Sequence, residues 1–227
     1  MILAAIDRGL TTIGISEHGY TAFDGRYCLS LEKTEEYKAE MLRLKEKYSD
    51  KIQVLLGIEL DALSDLDTTD YDYVIGSAHY VKCCGRYFSI DESSVEFEQI
   101  CRECFGGDYY AFAEEYFKTV ATLANRKIDL VGHVDLITKF NEANRLFDMT
   151  HPRYLNAAKG AIDALLPLKI PFEINTGAIS RGYRTEPYPT HPLLDYIKEK
   201  GGTLILSSDA HAKENLCYKF DEFENLI

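Results

Sequence analysis

A chain of 227 residues that is 46% hydrophobic can bury a sizeable core, most simply as one α/β domain. Its formal charge of −12 argues against a nucleic-acid surface, which needs a basic stripe, and no apolar run approaches the roughly 20 residues that span a bilayer. No signal-peptide pattern opens it, and its six cysteines read as free thiols of a cytoplasmic protein rather than a disulfide framework.

Residues 1–10 are predicted as a helix with Ile2, Leu3, Ile6 and Leu10 on one side and Gly9 near its end. A short buried strand follows, Thr12–His18, ending in Glu17-His18-Gly19, and then a loop carrying the turn signal Asp24-Gly25. Residues 31–48 give the clearest helix, with Tyr37, Met41, Leu44 and Tyr48 on one stripe and Glu and Lys opposite. Strands are expected at Gln53–Asp61 and Tyr73–His79. Helices are expected at 93–104 and 108–126, with a fourth strand at Ile128–Asp135. A helix over 152–166, capped by Thr150 with Pro152 in its first turn, leads to a fifth strand at Pro171–Gly177. The loop behind it holds Arg181 and Arg184; a short helix begins near Pro192. The sixth strand, Leu204-Ile205-Leu206-Ser207, runs into Ser208-Asp209-Ala210-His211, and a partial helix ends the chain.

Strands that alternate with helices predict parallel βα units, whose carboxyl ends lie on one face. Those ends read Glu17-His18, Glu59, His79, His133, Asn175 and Asp209-x-His211, so four of the six histidines gather there. Imidazoles and carboxylates so placed form a divalent-metal site suited to zinc, manganese or iron more than magnesium. His151 and His191, beside helix starts, read as surface residues. Cys101-x-x-Cys104 has zinc-ribbon spacing, but its only conceivable second pair, Cys83-Cys84, is adjacent in sequence and chelates one ion poorly.

Ser16-Glu17-His18, Gly57-Ile58-Glu59-Leu60-Asp61, Gly76-Ser77-Ala78-His79, Gly132-His133-Val134-Asp135 and Ser207-Ser208-Asp209-Ala210-His211 together resemble the polymerase-and-histidinol-phosphatase (PHP) superfamily. Glu173-Ile174-Asn175-Thr176 with Arg181, the segment Tyr48–Asp61, and Tyr188-Pro189 resemble its histidinol-phosphatase branch. The resemblance implies a distorted seven-stranded (β/α) TIM-like barrel holding up to three divalent ions. It implies that Glu59 bridges two metals, that His79 and His133 complete one, that Asp209 binds a second, and that His18 and His211 hold a third. Glu59, Asp209 and His211 are accordingly the expected catalytic groups. The family's first strand, with its His-x-His pair, has no counterpart in this sequence, and the C-terminus stops early. The expectation is therefore one PHP-type domain over residues 1–227, incomplete at both ends, with fewer ions and poor catalysis.

The implied reaction is hydrolysis of a small phosphomonoester, L-histidinol phosphate, in histidine biosynthesis. A phosphate dianion must be neutralised before a nucleophile approaches, which clustered metals achieve. Arg181 has the fork that grips phosphate oxygens, and Lys139, six residues past His133, is a second phosphate candidate. Two other readings are a different PHP-type phosphoesterase or nuclease, disfavoured for DNA by the acidic charge, and a non-catalytic remnant that binds one metal or none.

Overall fold

A computed structural model describes all residues, Met1–Ile227. Helix α1, Ile2–Asp7, is shorter than the apolar pattern suggests, and the chain turns behind it at Gly9, where φ is 75°. Glycine takes that left-handed conformation without the steric cost that a Cβ brings. Strand β1, Thr12–His18, pairs in parallel with β2, Gln53–Asp61, through the intervening helix α2, Leu31–Lys47. Ser30 caps α2 by accepting from the Lys33 amide at 3.2 Å, and Met41 is the buried centre of its apolar stripe. Tyr37 on the same stripe donates its hydroxyl towards the carbonyls of Ile15 and Gly57, at 2.7 and 2.8 Å, tying the helix to both strands.

Strand β3, Tyr73–Ser77, extends the sheet beside β2. Its Tyr73 ring lies against the neighbouring strands at two glycines. A Cβ on Gly57 would fall 2.2 Å from that ring, and one on Gly14 would fall 2.5 Å from its hydroxyl. Both glycines are thus required by close approach. The strand predicted to run to His79 stops at Ser77. An antiparallel hairpin that the sequence reading missed follows at once, β4 (Tyr80–Cys83) and β5 (Arg86–Ser89).

Helices α3, Ser94–Phe105, and α4, Tyr109–Ala121, come next, and α4 relaxes into a 3-10 turn over Thr122–Asn125. The fourth parallel strand, β6, is only Leu130–Val131 rather than 128–135. A 3-10 turn at Leu136–Thr138 takes over soon after, so His133 sits in an irregular segment just past the ladder. Helix α5, Pro152–Leu165, is capped by His151 itself, whose Nδ1 accepts from the Arg153 amide at 3.2 Å, not by Thr150. Strand β7, Phe172–Asn175, the short α6, Gly177–Ser180, and α7, His191–Glu199, lead to β8, Leu204–Ser207, and finally to the short helix α8, Phe220–Phe223.

The main sheet has the order β1-β2-β3-β6-β7-β8, every pair parallel, with β1 and β8 at its edges. Apolar residues from its strands and from α3, α4, α5 and α7 form the larger core, and a smaller core lies under α1 and α2. The sheet curls enough that His18 at the end of β1 and Asp209 just past β8 line the same cavity. All six strand ends therefore open on one face.

Candidate metal centre

Glu59 is the hub. It lies on β2 one register step across from His18, the last residue of β1, because parallel pairing sets the two side by side. His18 Nδ1 is 3.5 Å from Glu59 Oε2; His79 Nε2 and His133 Nε2 are 3.3 and 3.2 Å from Oε1. The donor atoms of His18, Glu59 and His79 lie within 4.8 Å of one another. The rings meet edge to face, His18 on His79 at 4.8 Å and His79 on His133 at 5.0 Å between centroids. Three strand ends thus deliver three imidazoles to one carboxylate.

Two of the three histidines, His79 and His133, are held from behind. The His79 amide donates to Asp61 Oδ2 at 2.7 Å, and its ring Nδ1 lies 3.4 Å from the same oxygen. The His133 amide donates to Glu173 Oε2 at 3.2 Å, and Asn175 Nδ2 donates to that oxygen at 3.0 Å. Carboxylates behind metal-binding imidazoles fix ring orientation and raise basicity. Asp61 and Glu173 belong to motifs visible in the sequence, but nothing in the spacing marked them as supports.

The electrostatics follow from the packing. Burial pushes the Glu59 carboxyl up, but His79, His18 and the hydrogen bonds from His133 and His79 outweigh it and hold the group well below the usual carboxylate range. Burial pushes His79 down, yet Glu59 and Asp61 carry it well above the ordinary imidazole value. Burial likewise opposes the protonation of His133, and the bond to Glu59 overcomes it. For His18, burial wins and lowers the value.

The far wall is built differently. Arg181, the residue after α6, donates from Nη2 to Asp209 Oδ2 and from Nη1 to the Asp209 carbonyl, both at 3.1 Å. Nη1 also reaches His211 Nδ1 at 2.7 Å; a guanidinium only donates, so Nδ1 accepts and Nε2 is the remaining ring nitrogen. Asp209 has a left-handed φ of 42°, which aspartate adopts more readily than most residues. It packs on the first residue of α6 so closely that a Cβ on Gly177 would lie 2.7 Å from Asp209 Oδ2. Asp209 and His211 therefore engage Arg181 and each other rather than the histidine cluster. Asn175, 3.5 Å from Asp209 Oδ2, links the two walls through Glu173.

Lys139 lies on a third side. Its ammonium donates to Asp91 Oδ2 at 3.2 Å and to the Asp91 carbonyl at 2.7 Å, and stands 4.8 Å from the centre of the Tyr183 ring. Asp91 follows the unpredicted hairpin, so sequence reasoning could not place it. His18, Glu59, His79, His133, Lys139, Arg181, Asp209 and His211 all line one cavity of about 360 Å³, with Tyr27, Tyr80, Asp91, Glu92 and Tyr183 among its other walls. His151 and His191 stay outside it; His151 stacks on Tyr110 at 4.0 Å.

The donor set fits a divalent metal. Three imidazoles around a carboxylate suit zinc and its neighbours. The Nε2 atoms of His79 and His133 and Nδ1 of His18 all turn to the same carboxylate, which leaves them placed to share an ion with it. The cavity's charge favours a bound cation: Glu59, Asp91, Glu92 and Asp209 line it, against Lys139, Arg181 and the histidines.

The sequence profile of the PHP domain matches residues 1–177. The chain belongs to the PHP domain family. Among PHP relatives, a "Probable histidinol-phosphatase" of Deinococcus radiodurans is 29% identical over 230 residues, covering 96% of this chain and 81% of the relative. A "Histidinol-phosphatase" of Bacillus subtilis is 25% identical over 205 residues, covering 83% of this chain and 75% of the relative. A crystal structure of a Listeria monocytogenes protein superposes with a TM-score of 0.82 at 19% identity, over 98% of this chain and 92% of the other. The histidinol phosphate phosphatase of Lactococcus lactis, crystallised with zinc, L-histidinol and phosphate, superposes with a TM-score of 0.68 at 21% identity, over 100% of this chain and 84% of the other. The PHP fold expected from the strand-end motifs is the fold observed.

Proposed function

We propose that this PHP chain is a metal-dependent phosphomonoesterase that hydrolyses L-histidinol phosphate to L-histidinol and phosphate, in the cytoplasm and in histidine biosynthesis. One observation carries the reading: a carboxylate ringed by three imidazoles shares a cavity with the guanidinium of Arg181 and the ammonium of Lys139. Divalent ions held by Glu59, His79, His133 and His18, with Asp209 and His211 on the facing wall, would offset the dianion and acidify water there. Zinc is the ion favoured by the donor chemistry, with manganese or iron as substitutes.

The remaining work falls to the chain. Arg181 binds phosphate oxygens through its fork, exchanging the Asp209 carboxylate for the substrate. Lys139 adds a second positive charge beside the ester, held in place by Asp91. Asp61 and Glu173 keep His79 and His133 in register. The cavity's volume of about 360 Å³ suits a small ester. Relatives that bear the histidinol-phosphatase name, aligned over most of both chains, support the choice of ester.

The test is phosphate release by the full chain, supplied with zinc or manganese, from L-histidinol phosphate and from p-nitrophenyl phosphate. The expected result is a higher kcat/KM on L-histidinol phosphate, abolished by a chelator and restored by metal. Hydrolysis of both esters with equal kcat/KM would withdraw the substrate assignment, and chelator-resistant activity would withdraw the metal.

A further inference from the structure

Of the two arginines in the loop behind β7, only Arg181 lines the cavity. Arg184 is 5% exposed, and a buried guanidinium carries a desolvation penalty that its surroundings must offset. Its hydrogen-bond partners are oxygens of the loops on either side of it. Nη1 donates to the Thr138 carbonyl at 3.1 Å and to the Thr138 hydroxyl, and Nε donates to the Glu186 carbonyl at 3.2 Å. The guanidinium also lies over the Tyr188 ring, 4.7 Å from its centre. A methionine would fill much of this space without the penalty, so what the arginine adds is its fork of directed bonds.

Those bonds fall on the segment that carries Lys139. Thr138 ends the 3-10 turn that follows His133, and Lys139 is the next residue. The Thr138 hydroxyl accepts from Arg184 and donates to the Asp135 carbonyl at 2.8 Å, so the turn is held from both sides. The Lys139 side chain is 11% exposed, and its ammonium sits between Asp91 and the ring of Tyr183, the residue before Arg184. Asp135 fastens the same two segments at their other end, accepting from the Thr190 amide at 2.9 Å. Residues 135–139 are thus stapled to residues 183–190 at buried points. Arg181, earlier in that loop, is anchored separately on Asp209 and His211.

We propose that Arg184 is a positioning residue: by gripping Thr138 it fixes the Lys139 ammonium where it and Arg181 can meet one phosphate group. The inference rests on the reading of this cavity as a phosphomonoesterase site with Lys139 beside the ester. Arg184 touches neither the metal ligands nor the cavity, and acts through the backbone that joins Thr138 to Lys139. Without it, the Thr138 carbonyl and hydroxyl lose their charged donor while staying buried, a loss the turn relieves by moving. Lys139 then moves with it. A misplacement of about 1 Å caused by a change remote from the chemistry can cost about 100-fold in rate. Arg181 keeps its own anchors, so phosphate binding is weakened rather than abolished.

The test is a double-mutant cycle on the full chain, with Arg184→Met and Lys139→Met made singly and together. Three quantities are read: calorimetric affinity of the zinc-loaded chain for inorganic phosphate, KM and kcat on L-histidinol phosphate, and zinc affinity without phosphate. Lys139→Met should weaken phosphate binding by about 10-fold, the worth of one charged hydrogen bond. Arg184→Met should weaken it several-fold and raise KM more than it lowers kcat, with zinc affinity unchanged. The double variant should bind phosphate no more weakly than Lys139→Met, because nothing is left for Arg184 to position. Thr138→Val removes the hydroxyl alone and should reproduce part of the loss, which keeps the test decisive if Arg184→Met does not fold. Additive losses in the double variant, or weaker zinc binding in Arg184→Met, would reduce Arg184 to a general structural support and overturn the proposal. Wild-type phosphate affinity in both Arg184→Met and Thr138→Val would overturn it as well. Wild-type affinity in Lys139→Met would instead withdraw Lys139 from the phosphate site, and the inference with it. The predicted coupling in a chain that binds phosphate but does not hydrolyse the ester would uphold the positioning role and refute the proposed reaction.

Discussion

The two walls of the cavity solve the problem of buried charge in opposite ways. On the β1–β2–β3 side, Glu59 is enclosed by three imidazoles at 3.2–3.5 Å, and its side chain is only 14% exposed. On the β8 side, Asp209 is paired with one guanidinium at 3.1 Å, beside a His211 side chain that is 61% exposed. The first arrangement concentrates neutral-or-cationic nitrogen donors on a carboxylate, which is what a metal ion displaces protons from. The second holds a strong cation on a carboxylate in a half-open position, from which a phosphate can take it. One wall is thus suited to a resident ion and the other to an arriving anion.

Substitutions should separate the walls. The largest effect is expected at Glu59: Glu59→Gln keeps the shape but removes the charge shared by three histidines. Changes behind metal ligands already cost about 10–100-fold, so this central change should lower activity by about 100-fold or more and strip the metal. Metal analysis and steady-state kinetics on one preparation would check both. Arg181→Ala comes next. A charged hydrogen bond is worth about 1.5–3 kcal/mol, so KM for the phosphomonoester should rise by about 10-fold or more, with metal content unchanged. Loss of metal in Arg181→Ala would merge the two walls into one site.

Asp61→Asn should act on the first wall alone, because it supports His79 from behind. Metal affinity should fall by about 10-fold, with Arg181-dependent inhibition by inorganic phosphate preserved once metal is saturating. Gly177→Ala should act on the second wall. The new Cβ would press on Asp209, so activity should fall several-fold, while zinc titrates as in the wild type. The smallest effect belongs outside both walls. His151→Ala removes a helix cap and should cost about 1 kcal/mol of stability in a denaturant titration, with unaltered kcat/KM.

The sequence exposed the first wall more fully than the second. His18, Glu59, His79 and His133 are legible because each sits at or just past a strand end, and parallel strands bring those ends together whatever the details of the turns. The contact between Arg181, Asp209 and His211 depends on α6 and on the tight fit at Gly177, which no periodicity announces. The hairpin escaped because its strands have four residues each and its turn carries Cys84-Gly85 in place of a recognised pair. With it escaped Asp91, and so the partner that holds Lys139. The reading of 128–135 as one strand failed for a related reason: apolar residues there are buried by the core beyond the ladder, so burial imitated strand pattern. The cap of α5 was misread by one residue because a histidine ring nitrogen accepts the amide that a threonine hydroxyl was expected to take.

The most direct measurement is zinc titration of the metal-stripped full chain, followed by calorimetry, for the wild type, Glu59→Gln and Arg181→Ala. Tight binding in the wild type and in Arg181→Ala, with that phase lost in Glu59→Gln, is the result predicted if Glu59 anchors the metal and Arg181 serves the phosphate. Equal stoichiometry and affinity in wild type and Glu59→Gln would contradict it.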